Sequence, residues 1–127
     1  MEPEAVAICR APECGTDMVA GVVLLTGEDA RITGGLLDRP EPLVRAIARP
    51  KPGGRAETAA SVRRLRDGSG RGFLLTLARA DGTRPPAYGA ALGRETREGL
   101  RVVLVIGGNE EAVEATLRRV AVDHLGS

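Results

Sequence analysis

A chain of 127 residues holds enough material for one hydrophobic core and not for two. Its formal net charge of +1 provides no global field to draw in nucleic acid or an acidic membrane, so neither is expected as a partner. With one Phe, one Tyr and no Trp, it lacks the aromatic faces that stack bases, hold flavin rings or cage cations. Two cysteines, Cys9 and Cys14, are too few for a disulfide scaffold or a four-ligand zinc site. No stretch approaches the ~20 apolar residues of a membrane span. The acidic start, Met1 to Glu4, has neither the positive region nor the apolar run of a secretory signal, so a cytoplasmic location is expected.

Ala5–Cys9 is apolar but too short for its pattern to choose between strand and helix. Arg10–Asp17, with Pro12 and Gly15, reads as loop. Val19–Leu25 is a continuous apolar run, as in a strand buried on both faces. Gly27-Glu28-Asp29 reads as a turn, after which Ala30–Thr33 returns as a second strand pinned by Ile32 and ended by Gly34-Gly35. Pro40 and Pro42 allow only a short helix starting near Glu41 or Pro42, with Leu43, Val44 and Ile47 on one side. Pro50-Lys51-Pro52-Gly53-Gly54 breaks the chain and is expected to be a mobile loop. A second short helix is expected from Ala56 to Arg66, with Ala59, Val62 and Leu65 inward. Asp67-Gly68-Ser69-Gly70 then returns the chain to the sheet.

Three strands and a helix follow. Phe73, Leu75 and Leu77 alternate with Leu74, Thr76 and Ala78. Asp81-Gly82 is a two-residue hairpin signal, because both positions tolerate positive φ. Pro86–Leu92 makes a weaker strand, Gly93–Gly99 a polar loop, and Leu100–Ile106 the most apolar strand. Asn109 caps a final helix whose first turns hold Glu110, Glu111 and Glu114, where the helix dipole favours anions. Val113, Leu117, Val120 and Ala121 form its apolar stripe. The order ββααβββα predicts an α+β, two-layer domain: a five-stranded antiparallel sheet with helices mainly on one face. It is a single domain over 1–127, with an N-terminal segment (1–18), a sheet core (19–107) interrupted by a helical insert (41–66), and a C-terminal helix (108–127).

That order, with the segment Leu77-Ala78-Arg79-Ala80-Asp81-Gly82-Thr83, resembles PAS sensor domains, many of which carry Arg-x-Asp-Gly-Thr at the equivalent hairpin. Gly99–Ile106 resembles their last strand, and Glu110–Arg119 the helix that leaves the core toward an effector. The sequence departs from the pattern at Val105–Asn109, at Gly34-Gly35 and at Pro85-Pro86. Profilin-like, longin and Roadblock modules share the strand order, so topology alone does not choose among them.

Candidate chemistry is sparse. Arg10 beside Cys9 could activate a thiolate, but His124, the one histidine, is at the far end of the chain. Lys51-Pro52-Gly53-Gly54-Arg55 ahead of a helix start is the nearest approach to an anion site, yet its spacing is not that of a P-loop and Glu57 falls in the same turn. No Ser-His-Asp set and no HExxH is present. The resemblance implies a non-enzymatic sensory or regulatory domain. Its small-molecule ligand would lie between the insert (Leu43, Ile47, Val62, Leu65) and the sheet (Phe73, Leu75, Tyr88, Leu104), and its signal would leave through the last helix or a homodimer interface. No cofactor can be named. The alternatives are a profilin- or Roadblock-like interaction or accessory subunit, and a small thiol-dependent enzyme using Cys9 or Cys14.

Overall fold

A computed structural model describes residues 3–9, 17–47, 58–68, 70–79 and 85–125. The elements are β1 (Pro3–Cys9), β2 (Met18–Leu25), α1 (Gly27–Asp38), α2 (Glu41–Ile47), β3 (Thr58–Asp67), β4 (Gly70–Arg79), β5 (Ala87–Thr96), β6 (Gly99–Gly107) and α3 (Glu110–Leu125). The α+β class expected from the sequence is the class observed, but the sheet has six antiparallel strands, not five, in the order β1-β2-β6-β5-β4-β3.

Two segments change identity. Ala30–Thr33, expected as a strand, lies inside α1. Glu28 and Asp29 sit in its first turn, where the dipole stabilises them, and Ala30, Gly34 and Leu37 recur on the inward side. Gly34 is buried where α1 meets the sheet, and a Cβ there would make ordinary van der Waals contact with Arg71 and Leu100. The second change is β3, expected as the Ala56–Arg66 helix. Asp67 pairs with Gly70, and the ladder runs unbroken from there to Thr58 opposite Arg79. The Gly-rich turn at 67–70 is therefore a hairpin, and a hairpin requires strand on both sides. β5 also runs on to Thr96, leaving Arg97-Glu98 as a tight turn in place of the expected loop. Gly99 closes that turn at φ +147°, where an added Cβ would stand 2.3 Å from the Leu25 carbonyl oxygen.

Helices cover both faces of the sheet, which corrects the one-face, two-layer expectation. Side chains alternate along each strand, so paired residues fall on a common face. On one face Met18, Val22, Leu65, Leu74, Leu92, Val103 and Val105 pack against Val113, Leu117, Ala121 and Leu125 of α3. On the other, Leu25, Phe73, Leu75, Leu100 and Val102 pack against Leu37 of α1, with Leu43, Val44 and Ile47 of α2 alongside. The Asn109 side chain accepts the Ala112 N–H at 2.9 Å, capping α3 as its sequence requires. No helix among the described residues is long and apolar enough to cross a membrane.

Candidate interaction face

The eight residues expected to line one cavity do not meet. Leu43, Ile47, Val62, Phe73 and Leu75 share the face of α1 and α2 and fill it by direct packing. Leu65 and Tyr88 belong to the α3 side. The helical reading placed Val62 and Leu65 together at i, i+3; as strand residues of opposite parity they point through opposite faces. Leu104 is on the α1 side but outside the packed region, 42% exposed. No single hollow can be lined by all eight.

Leu104 instead belongs to an uncovered part of the sheet. The ladders align Ile8 with Val19, Val19 with Ile106, and Ile106 with Gly89. The adjacent row on the same face aligns Val6 with Gly21, Gly21 with Leu104, and Leu104 with Ala91. Five large aliphatic side chains thus form one patch: Val6 (58% exposed), Ile8 (64%), Val19 (45%), Leu104 and Ile106 (61%). Between them Gly21, Gly89 and Ala91 leave the floor low. α1 packs on β4, β5 and β6, and α2 packs on β3, so among the described residues no helix lies over the β1–β2–β6 corner. A shallow depression of about 360 Å³ opens at its end, lined by Ile8, Asp17, Met18, Val19, Ile106 and Gly107. An exposed apolar patch of this kind is where a soluble domain meets something else.

The polar groups serve the scaffold. Arg71 on β4 forks onto Glu95 at 2.8 and 2.9 Å and also binds Asp38 at the end of α1. Its hydrogen bonds hold both carboxyls below their usual range, and the two carboxylates push the guanidinium pKa further up. Arg63 and Arg64, adjacent on β3, point to opposite faces. Arg63 binds Glu114 of α3 at 2.5 Å and Arg64 binds Glu41 of α2 at 2.6 Å, lowering each carboxyl in turn. These pairs tie each layer of helices to the sheet. Among the described residues no group of three or more His, Cys, Asp or Glu side chains could hold a metal. His124 is exposed in the last turn of α3. Cys14 and the Lys51–Arg55 stretch lie outside the described residues, as does the Asp81-Gly82 turn, and of Cys9 only its place in β1 is described.

The sequence signal for the patch was present in β6. Leu104 and Ile106 alternate with Val103 and Val105, so both faces of that strand are apolar, while the helices to cover them reach only part of one.

An antiparallel six-stranded sheet with helices on both faces and a bare apolar corner defines this chain structurally. The sequence matches no known family and no curated protein. Among solved structures, the crystal structure of CalU16 from Micromonospora echinospora is similar, with a TM-score of 0.50 and 14% identity over 99% of this chain and 83% of that one. At that identity the likeness is one of fold alone.

Proposed function

We propose that the protein is a non-enzymatic, cytoplasmic accessory or regulatory module that works by docking, with the bare β1–β2–β6 corner of the sheet as its contact surface. The observation that carries this reading is the five-residue aliphatic patch, contiguous across three strands. Native mass spectrometry, reporting oligomeric state and bound mass together, tests it. An assembly is expected, and its loss when Val6, Ile8, Val19, Leu104 and Ile106 are exchanged for Thr, with the folded state retained. An assembly unchanged by those exchanges refutes the reading.

A PAS-like sensory role with a small apolar ligand is the second reading, favoured by the 360 Å³ depression beside Ile8 and Ile106. A monomer with a co-purifying small molecule would support it over docking. The thiol-enzyme alternative requires an activity lost on Cys9→Ser or Cys14→Ser.

A further inference from the structure

The sheet ends in β1 on one side and β3 on the other, and the sequence treats these edges differently. Along its second half β3 carries the long side chains of Arg63, Arg64 and Arg66, the first two held by Glu114 of α3 and Glu41 of α2, so that stretch of the edge is flanked by bulky polar groups. β1 has its protection only at the start: Pro3, then a register shift between Pro3 and Ala5 that bulges the strand at Glu4. From Ala5 to Cys9 it pairs with β2 without interruption and holds no charged residue. Val6, Ala7 and Ile8 are all exposed, although Val6 and Ile8 point to one face and Ala7 to the other. An uninterrupted, uncharged run on an edge strand, apolar on both faces, is a template for another strand.

We propose that β1 pairs antiparallel with β1 of a second copy about a two-fold axis at Ala7, joining two sheets into one. This rests on the docking reading and adds the occupant and the mode. The short run is self-complementary in that register. Val6 lies opposite Ile8 of the second copy, Ala7 opposite its counterpart, and Ala5 opposite Cys9. A two-fold normal to the sheet keeps like faces on the same side, so both aliphatic patches merge across the junction. Both outer ends are then the Arg-rich β3 edges, and the assembly closes at two copies instead of growing into a filament.

An edge contact leaves the two patches side by side on one face, so that of the five side chains only Val6 and Ile8 meet across the junction. The unpaired backbone groups of the β1 edge supply the main attraction. The contact is small against the ~1,200–2,000 Å² of a stable interface, so the dimer is concentration-dependent.

Sedimentation velocity of the full chain across a concentration series tests this, with circular dichroism confirming the fold of each variant. Wild type is expected to pass from monomer to dimer. Ile8→Lys, and independently Val6→Lys, place a charge in both copies at the junction and raise the dissociation constant by about 100-fold, tenfold for each copy. Leu104→Glu, two strands from the edge, and Ser61→Lys on β3 leave it unchanged. A wild type that stays monomeric throughout overturns the pairing. Dissociation by Leu104→Glu but not by Ile8→Lys overturns it too, while sparing the docking reading; a dimer indifferent to all four variants overturns both.

Discussion

Arg71 of β4 reaches past its register partner Gly93 to Glu95 of β5 and is joined to it by two parallel hydrogen bonds of 2.8 and 2.9 Å. The same guanidinium binds Asp38, so one side chain couples two strands to the end of α1. The planar fork is what allows this, since a lysine ammonium cannot present two parallel donors to one carboxylate. The carboxylates are about half to two-thirds exposed, which screens the attraction. Arg71→Ala is therefore expected to cost only about 1 kcal/mol, a fall in Tm of roughly 4 °C. Arg71→Lys should recover less than half of that loss. Thermal unfolding of the two variants beside wild type measures both.

The same pairs give stability a sign with pH. Asp38, Glu95 and Glu114 have folded pKa values below their unfolded ones, each chiefly through a hydrogen bond from an arginine. Protonation therefore favours the unfolded chain. The contribution is complete above the ordinary carboxylate range of about 4–4.5 and fades as pH falls through the lowered folded values. Arg71, already charged at every accessible pH and pushed higher, adds no slope of its own. Urea unfolding should show stability falling below about pH 4, and a shallower fall in Arg71→Ala. An equal fall in both proteins would mean that the acid sensitivity arises elsewhere.

Two glycines on neighbouring strands should respond unequally to alanine. At Gly72 an added Cβ would fall 1.7 Å from the Ala91 carbonyl oxygen, a backbone atom of the neighbouring strand that cannot step aside. Gly72→Ala must push β4 from β5 in the middle of the sheet, at an expected cost above about 3 kcal/mol. At Gly89, on the floor of the bare corner, a Cβ meets nothing within 4 Å. Gly89→Ala should leave stability within about 0.5 kcal/mol of wild type, because strand glycine is itself unfavourable. Denaturant midpoints compare them directly.

Where a local pattern and its tertiary environment agree, the sequence was legible. β2, β4, β6 and α3 follow from runs such as Val19–Leu25 and the Val113–Leu117–Ala121 stripe, and the Asn109 cap holds as its residue type demands. Legibility failed where two periods were both possible. Ala59, Val62 and Leu65 fit a helix at i, i+3, but only the long-range ladder to β4 reveals that Val62 and Leu65 go to opposite faces. Ala30–Thr33 reads as extended because Gly27-Glu28-Asp29 reads as a turn before it, with Ile32 to pin a strand and Gly34-Gly35 to end one; packing of α1 on the sheet through Leu37 outweighed the ~1 kcal/mol per glycine that propensity sets against a helix. The expected cavity failed with the insert that was to roof it. The bare corner is legible only by half: β6 shows two apolar faces, but which of them a helix covers is decided by topology, and no single strand records it.

Val105 and Ile106 test that last point most sharply, being neighbours in one strand with opposite surroundings. Val105 is wholly buried under α3, whereas Ile106 is 61% exposed in the patch. Val105→Thr introduces a hydroxyl beside Val113 and Leu117 with no evident partner, at an expected cost of about 1–3 kcal/mol. Ile106→Thr removes little that is buried and adds a hydroxyl that water can solvate, so stability should stay within about 0.5 kcal/mol. The two should separate again by a second probe. Native wild type should bind a fluorescent apolar dye at the bare corner, Ile106→Thr should bind it more weakly, and Val105→Thr, while still folded, should bind it as wild type does. If Ile106→Thr proved as destabilising as Val105→Thr, the corner would be covered within the monomer, and a docking surface could not reside there.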